Sequence, residues 1–340
     1  METLYIKPPT SVGLLLSYKC NIACKYCIYA CSPKWKNDWL GEEDAEIILR
    51  QLSEIFKSNS LFIPERINFS YGLHFTGGEP FLNYKLLIKF VKLADKLKIP
   101  NTFIETNCFW AKTDESTRLK LNELKGAGLA GLLLSVNPFN VEYIPFERIE
   151  RVYKIGEKIF SHNLMVYQQF YMNFFKSLKL KNKMPFEEFL KNVNLNSFYN
   201  YTELLPMGRA PYKLGSLFKK YPANYFFNEN CREEFTRNWH THIDNHRNYI
   251  PGFCAGITLG DSKDLNLIFG KMNLVKKPII AALASSLKVL YEIGFEFGYR
   301  ANKEGYISKC HLCEDIRKHL VSKTAEFSEL SPEEFYENLN

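Results

Sequence analysis

Residues 17–27, SYKCNIACKYC, hold three cysteines in a C-x3-C-x2-C spacing, Cys20, Cys24 and Cys27, directly after the apolar run at 13–16. Thiolates are the protein ligands of iron–sulfur clusters, and three of them can ligate three irons of a 4Fe–4S cube. The fourth iron then has no protein ligand, which is what a substrate-activating cluster needs. A structural zinc would require four ligands, usually from two paired hooks. An isolated three-thiol loop after a strand therefore favours the cluster over zinc.

Two further stretches extend this pattern. Residues 74–80, HFTGGEP, follow the cysteine loop, and residues 204–210, LLPMGRA, lie further along the chain. Together with the loop they resemble the radical S-adenosylmethionine (radical SAM) superfamily. The first stretch looks like the GGEP segment of that family, and the second resembles the end of its sixth barrel strand in members with an extra cluster. The loop combined with GGEP at this separation is a specific motif pair.

Length, charge and cysteine content narrow the class of protein. A chain of 340 residues with 46% hydrophobic content can hold one large domain and a small one. Its net charge of +7 permits an acidic partner or RNA without arguing for either. The N-terminus has no apolar core of a signal peptide, and no apolar run reaches membrane-spanning length. We therefore expect a cytoplasmic protein without a membrane segment, whose nine cysteines stay reduced.

Strand and helix patterns alternate over the first two thirds of the chain. The predicted strands are 12–19, 72–76, 102–106, 131–136, 164–171 and 199–205. The predicted helices between them are 42–57, 83–97, 114–125, 146–160 and 185–193. Such alternation is typical of α/β folds with parallel strands and crossover helices. Six units suit the partial (β/α)6 barrel of TIM type that the resemblance implies, with the chemistry at the carboxyl ends of the strands.

The pattern changes after Gly208. We predict the barrel at 1–223, a small α+β module at 224–322 and a C-terminal tail at 323–340. The module is predicted to contain a hairpin with strands at 239–244 and 249–254, a helix at 279–297 and a last short helix ending near 320.

Four cysteines fall in this module: Cys231, Cys254, Cys310 and Cys313. Their pattern resembles the twitch module, the shortened relative of the SPASM domain, although the hairpin turn lacks the usual glycine. The resemblance implies one auxiliary 4Fe–4S cluster ligated by these four thiolates. A zinc ion with the same four ligands is the alternative, because a tetrahedral site with four sulfurs suits both.

The resemblance also implies how the first cluster works. S-adenosylmethionine (SAM) would chelate the open iron, and its reductive cleavage would give a 5′-deoxyadenosyl radical that abstracts a substrate hydrogen. The implied cofactor contacts are Tyr26, Gly77, Gly78, Glu79, Ser135, Asn137 and Leu205. Ordinary strand-end capping is an equal alternative for Ser135 and Asn137.

Several other side chains are candidates for chemistry. Glu105 ends a predicted strand and is a candidate proton acceptor, with a solvated carboxylate as the alternative. Cys108 stands where related enzymes often have glycine, so its thiol could donate a hydrogen atom to a substrate radical, or it could be a buried free cysteine. Cys31 is expected to be a buried thiol. His240 and His242 alternate on a strand and share a face, which favours hydrogen-bonded imidazoles on a hairpin surface over a metal pair.

We therefore predict an oxygen-sensitive radical SAM oxidoreductase or modifying enzyme. Its substrate would be a small molecule or a peptide or protein side chain, and its electrons would come from a reductant such as ferredoxin or flavodoxin. Because the cysteine loop starts at Cys20, we expect no N-terminal peptide-recognition or cobalamin-binding domain. Two alternatives are a non-catalytic iron–sulfur or zinc scaffold, against which the GGEP segment argues, and an RNA-modifying radical SAM enzyme. No basic stripe with interleaved aromatics stands out, so nucleic acid is not the expected partner.

Overall fold

The computed structural model of the chain describes residues 3–36, 38–58 and 66–340. Most of the strands in these residues are short and buried. Their bounds are Thr3–Ile6 (β1), Ser11–Leu15 (β2), Gly72–Thr76 (β3), Phe103–Thr106 (β4), Gly131–Ser135 (β5), Leu164–Tyr167 (β6), Thr241–Ile243 (β7), Tyr249–Ile250 (β8) and Gly270–Asn273 (β9). Strands β2, β3 and β5 are buried at every position, as expected for parallel strands covered on both faces.

Seven of these strands form one sheet, in the order β6-β5-β4-β3-β2-β7-β8. The pairs from β6 through to β7 are parallel, and β8 pairs antiparallel with β7 at the edge. Strands β1 and β9 form a separate antiparallel pair. The predicted α/β class with a parallel sheet is confirmed.

Helices connect the strands and cover the sheet. Their bounds are Glu42–Ser58 (α1), Tyr84–Lys96 (α2), Asp114–Gly126 (α3), Pro138–Val141 (α4), Phe146–Phe160 (α5), Gln169–Ser177 (α6), Phe186–Asn192 (α7), Leu195–Tyr201 (α8), Ala210–Leu214 (α9), Arg232–Thr236 (α10), Pro278–Ser285 (α11), Leu287–Glu296 (α12), Lys309–Lys323 (α13) and Glu334–Glu337 (α14). The first turn of α1 is acidic and its last turn contains Lys57, which suits the helix dipole. The predictions for α1, α3 and α5 agree with the structure within one residue. Among the described residues, none of the helices combines the length and apolar character that crossing a membrane requires.

The sixth parallel strand is not the predicted one. Residues 199–205 contain the end of α8 and an irregular segment, so the strand prediction there is wrong. Asn194 caps α8 by accepting a hydrogen bond from the N–H of Asn196 at 2.8 Å, and Phe198 is buried against other aromatic rings. Short aromatic segments suit strands and helices alike, so the local pattern could not decide between them. Strand β7 takes the sixth place instead, with Val12 of β2 opposite Thr241.

The region after residue 223 also differs from the prediction. The hairpin of β7 and β8 is present, but it extends the main sheet instead of standing apart from it. The helix predicted at 279–297 is two helices, because Ser286 is extended (φ −164°, ψ 156°) and its side chain caps α12. The tail is docked: Tyr336 is buried and its hydroxyl donates to the Gly256 carbonyl at 2.5 Å. The domain boundaries at 223 and 322 stay predictions.

Candidate functional site

A cavity of about 380 Å³ lies at the carboxyl ends of the parallel strands. The last residues of four neighbouring strands, β3 to β6, line it: Thr76, Thr106, Ser135 and Tyr167. The cysteine loop and residues 77–79 form another part of its wall. This is the end of a parallel barrel at which catalytic groups gather.

The three thiols of the cysteine loop line this cavity. Each sulfur accepts a hydrogen bond from an N–H group: Cys20 from Asn107 Nδ2 at 3.9 Å, Cys24 from Asn140 Nδ2 at 3.7 Å, and Cys27 from the backbone N–H of Cys31 at 3.3 Å. Hydrogen bonds of this kind favour the thiolate, which is the form that ligates metal. The donor set therefore fits an iron–sulfur cluster held by three cysteines.

Cys31 contacts one of these sulfurs. A hydrogen bond from the Cys31 thiol lowers the pKa of Cys27 to about 5, and the nearby Arg209 guanidinium adds to the effect. Burial has the opposite effect on Cys20 and Cys24, whose pKa values are raised. Cys31 is 3% exposed, so it is the buried thiol that the sequence predicted. Cys27 is therefore the thiol of the loop that ionises most readily.

The glycines at 77 and 78 pack against the backbone of the cysteine loop. The N–H of Gly78 donates to the Ser17 carbonyl at 2.8 Å, and the N–H of Glu79 donates to the Lys19 carbonyl at 3.1 Å. A Cβ on Gly78 would lie 1.9 Å from the Lys19 oxygen. A Cβ on Gly77, whose φ is +112°, would lie 2.4 Å from the Ser17 oxygen. Both positions therefore require glycine because of their close approach to the cysteine loop, and the contact of Gly77 and Gly78 with the cofactor stays a prediction.

The Glu79 carboxylate is buried and fully hydrogen-bonded. It accepts from Thr106 Oγ1 at 2.9 Å, from the N–H of Asn107 at 2.7 Å and from the N–H of Phe81 at 3.2 Å. Burial nevertheless raises the pKa of Glu79 to about 7. The side chain thus ties the GGEP segment to the end of β4 while it lines the cavity. Its contact with a cofactor ammonium stays a prediction.

Glu105 lies in the cavity wall at the end of β4. Its carboxylate accepts hydrogen bonds from Thr76 Oγ1 at 2.8 Å and from Ser135 Oγ at 3.5 Å. Burial raises the pKa of Glu105, so the carboxyl holds a proton more readily than a solvated one. Both Glu105 and Ser135 therefore face the space in which their predicted roles would be carried out.

The remaining predicted cofactor contacts divide into two groups. Tyr26 and Leu205 line the cavity. Asn137 lies behind Tyr26: its Nδ2 donates to the Tyr26 hydroxyl at 2.8 Å, and its Oδ1 accepts from the N–H of Asn140 at 3.0 Å at the start of α4. The capping alternative therefore accounts for the contacts of Asn137.

The sequence comparisons agree with this geometry. The protein-family model of the radical SAM superfamily matches residues 14–167, which hold the cysteine loop, the GGEP segment and strands β3 to β6. This match to the radical SAM superfamily covers less than half of the chain.

The chain is also distantly similar to a curated protein. YydG of Bacillus subtilis (strain 168), whose name assigns it provisionally to peptide biosynthesis, is 21% identical over 148 residues. That match covers 44% of this chain and 42% of YydG, so it spans less than half of the curated relative.

Three solved structures show a weak likeness. BtrN in complex with AdoMet and 2-DOIA has a TM-score of 0.42 and 14% identity, covering 76% of this chain and 79% of BtrN. Native anSMEcpe with AdoMet and a peptide has a TM-score of 0.40 and 16% identity, covering 76% of this chain and 78% of anSMEcpe. Streptococcus suis SuiB with its precursor peptide SuiA has a TM-score of 0.34 and 14% identity, covering 84% of this chain and 66% of SuiB. Because all three TM-scores are below 0.5, the domain assignment rests on the family model.

Cys108 is not brought to the cavity of the radical SAM domain. It is 0% exposed, and it is not among the described residues that line the cavity, although its neighbour Asn107 is. Its φ is +66°, and its thiol donates to the Thr106 carbonyl at 3.9 Å. The buried-thiol alternative therefore describes the placement of Cys108, and hydrogen donation by its thiol stays a prediction.

The thiols of the metal-free protein are expected to differ in reactivity with iodoacetamide. Cys27 should be alkylated first because it is partly exposed and its pKa is lowered to about 5, so it is a thiolate at neutral pH. Cys108 should resist alkylation because burial raises its pKa and excludes the reagent. Time-resolved peptide mass spectrometry of the native chain measures the alkylation rates of both cysteines. Labelling of Cys108 as fast as Cys27 would contradict its placement, and labelling in urea is the control for reactivity of the unfolded chain.

The sequence analysis missed Gly208 and Arg209 as parts of the site. Arg209 is 3% exposed; its Nε and its backbone N–H donate to the Cys24 and Cys27 carbonyls, each at 3.1 Å, and Nη2 donates to the Cys31 carbonyl. A Cβ on Gly208 would lie 2.4 Å from the Cys27 oxygen. The LLPMGRA stretch was the available signal, but it lies far from the cysteine loop in sequence, and nothing local indicated that the two are in contact.

The second set of cysteines is also brought together. Cys231 precedes α10, Cys254 follows β8, and Cys310 and Cys313 lie in the first two turns of α13. Burial and the charges of the neighbouring thiols raise the pKa of Cys231 and Cys310. The buried Arg317 donates through Nε to Cys313 Sγ at 3.3 Å. The four predicted ligands therefore form one cluster of thiols beside a fixed cation.

These four sulfurs are more widely spaced than a zinc site requires. Among the described residues, no three of them lie within 4.8 Å of one another. A tetrahedral zinc with Zn–S bonds of about 2.3 Å holds its sulfurs about 3.8 Å apart.

Residues 206–209 connect the two sets of cysteines. The N–H of Gly208 donates to Glu314 Oε1 at 2.8 Å, and Ser308 Oγ donates to the Pro206 carbonyl at 2.7 Å. Glu314 follows Cys313 on α13, and burial raises its pKa to about 8. One short segment thus contacts the cysteine loop of the radical SAM domain and the helix of the second set.

His240 and His242 do not lie on a hairpin surface. Both are buried, because the hairpin extends the main sheet and turns these side chains toward the cavity. Their predicted placement on a surface is therefore wrong.

Proposed function

We propose that the chain is a radical SAM enzyme that abstracts a hydrogen atom from a peptide or protein side chain. The observation that carries this proposal is the set of three N–H-bonded thiols, Cys20, Cys24 and Cys27, at a strand-end cavity. Three thiolates suit a 4Fe–4S cluster with one open iron. When bound, the cluster and SAM supply a 5′-deoxyadenosyl radical by reductive cleavage.

The chain's own residues would bind and orient these groups. Gly77 and Gly78 fix the cysteine loop through backbone contacts, and Glu79 places a carboxylate beside it. Tyr26 offers an aromatic face in the cavity wall. Glu105 is the candidate for accepting a proton from the substrate, since burial raises its pKa and it lines the cavity.

A peptide or protein is the substrate class that we favour. The support is the similarity of 148 residues of the chain to YydG, whose name refers to peptide biosynthesis. A small molecule is the alternative. A reductant such as ferredoxin or flavodoxin in the cytoplasm would supply the electron, and the reduced centres would be sensitive to oxygen.

We further propose that Cys231, Cys254, Cys310 and Cys313 hold an auxiliary 4Fe–4S cluster of a twitch-like module. One observation supports this cluster over zinc: among the described residues, no three of the four sulfurs lie within 4.8 Å of one another, whereas tetrahedral zinc needs about 3.8 Å. Arg317 places a buried positive charge against Cys313, which offsets the negative charge that four thiolates give to a cluster or to zinc alike.

Anaerobic reconstitution with iron and sulfide tests the proposal. We expect about eight irons per chain and formation of 5′-deoxyadenosine once SAM and dithionite are added. The variant with alanine at Cys20, Cys24 and Cys27 should keep about four irons and form no 5′-deoxyadenosine. Zinc at the second set would refute the auxiliary cluster, and full iron without SAM cleavage would favour a non-catalytic scaffold. Candidate peptides should raise 5′-deoxyadenosine formation more than small molecules do.

A further inference from the structure

Three histidine side chains lie close together in the part of the cavity formed by β3 and β7. His74 lies in β3, His242 in β7, and His240 directly before β7. All three are at least nine-tenths buried, and they line the cavity. One ring nitrogen from each lies within 4.8 Å of the others. Among the described residues, these three form the group of histidine, cysteine or acidic side chains whose ligand atoms lie close enough together to bind one metal ion.

Gly13 makes room for this convergence. It lies in β2, between β3 and β7, and is paired in register with both His74 and His242. A Cβ on Gly13 would lie 2.4 Å from His242 Cδ2, 2.7 Å from His242 Nε2 and 2.7 Å from His74 Cε1. The central strand therefore lacks a side chain at the point where two imidazoles from the flanking strands approach each other.

The ring nitrogens are arranged as in metal-binding histidines. His242 Nδ1 lies 2.9 Å from the Gly252 carbonyl, so this nitrogen carries the proton and leaves Nε2 with a free lone pair. His240 Nδ1 lies 2.9 Å from Ser11 Oγ. Metal-ligating histidines usually hydrogen-bond in this way through their other nitrogen. His74 Nδ1 is buried and has no hydrogen-bond partner among the described residues.

The distances between the rings agree with a shared ion. The centroids of His240 and His242 are 4.6 Å apart, those of His74 and His240 are 5.2 Å apart, and those of His74 and His242 are 5.8 Å apart. Imidazoles bound at about 2.0–2.1 Å on a tetrahedral ion place their centroids about 5 Å apart. The ring separations therefore match those of three imidazoles around one ion.

The surroundings keep the imidazoles neutral. Burial lowers the pKa of His74 and His240 and lowers that of His242 to about 4, so all three are unprotonated at neutral pH. Phe69 and Phe253 pack around the rings. Three neutral nitrogens without a carboxylate suit zinc and the neighbouring transition metals.

We propose that His74, His240 and His242 form a mononuclear site for a divalent transition metal, with an open position toward the cavity. The open position would take a water molecule or an oxygen of the substrate, as in catalytic sites with three histidine ligands. Tyr29 lies beside it: its ring centroid is 5.1 Å from that of His242, and its buried hydroxyl has no partner among the described residues. This site does not depend on the iron–sulfur clusters.

Zinc binding to the full chain, with its iron–sulfur sites filled by anaerobic reconstitution, tests the site. Zn²⁺ alone is added, and the zinc content and the zinc ligand distances are measured by mass spectrometry and X-ray absorption. We expect one zinc per chain with only nitrogen and oxygen ligands at about 2.0–2.1 Å. His74→Phe, which keeps an aromatic ring in the apolar surroundings, should weaken binding by more than about 100-fold, since changes behind the ligands alone cost 10–100-fold. His162→Phe, at an exposed histidine, is the matched control.

A second variant, Gly13→Ala, should also lose zinc while it keeps all three histidines. The iron content and circular dichroism of each variant show whether it is folded. Zinc bound through sulfur at about 2.3 Å, zinc retained by His74→Phe, or no zinc bound by the wild-type chain would each overturn the site.

Discussion

Changing Gly78 to alanine is expected to strip iron from the cysteine loop while every cysteine stays in place. The new Cβ would lie 1.9 Å from the Lys19 oxygen, 2.3 Å from its carbonyl carbon and 2.9 Å from the Cys20 nitrogen. All three are backbone atoms, so no side chain can move aside. The contact that the N–H of Gly78 makes with the Ser17 carbonyl would be lost as well. We expect a cost of at least about 3 kcal/mol, at the upper end for overpacking.

Iron analysis after anaerobic reconstitution measures this effect. The iron content of Gly78→Ala should fall from about eight to about four per chain, because the second set of cysteines is unaffected. Gly126→Ala is the control, since a Cβ at that helix end would meet nothing within 4 Å. Full iron occupancy and normal SAM cleavage in Gly78→Ala would contradict the packing of the GGEP segment on the cysteine loop.

Changing Arg209 to methionine is expected to weaken iron binding at the cysteine loop. Methionine keeps much of the apolar length but donates no hydrogen bond to the Cys24 and Cys31 carbonyls. Each buried carbonyl left without a donor costs about 1–3 kcal/mol. The variant also loses the positive charge that lowers the pKa values of Cys20, Cys24 and Cys27. The thiolates should therefore form less readily, and the first cluster should be lost faster.

The rate of iron release to a chelator measures the effect of Arg209→Met. We expect the first four irons to leave at least about tenfold faster than in the wild type, as for other changes behind metal ligands. Arg118→Met, at an exposed position on α3, is the control. Unchanged release together with an unchanged melting temperature would show that Arg209 does not hold the loop.

The parts of the fold and site with strong local signals could be predicted from the sequence. The three-thiol spacing and the GGEP segment mark positions where a few adjacent residues must have fixed types. Helices α1, α3 and α5 carry clear apolar periodicity, and their predicted bounds agree with the structure. The second set of cysteines was also identified, because cysteine is rare enough for its spacing to be informative.

The parts that depend on long-range contacts could not be predicted. Strand β7 has three residues, and its place beside β2 depends on pairing across more than half of the chain. The contact of Arg209 with the Cys24 carbonyl is equally remote in sequence. His74 lies in the GGEP stretch, but nothing local to it indicates that His240 and His242 come within 4.8 Å.

The radical chemistry requires an open iron at Cys20, Cys24 and Cys27, and magnetic resonance can detect SAM bound to it. The measurement is electron–nuclear double resonance of the reduced full chain with SAM labelled with ¹⁵N in its amino group. We expect a ¹⁵N hyperfine coupling between the first cluster and that nitrogen, which is replaced by a ¹⁴N coupling when unlabelled SAM is used. A cluster signal that is unchanged by SAM, with no coupling to its nitrogen, would show that SAM does not bind an open iron and would contradict the proposed radical chemistry.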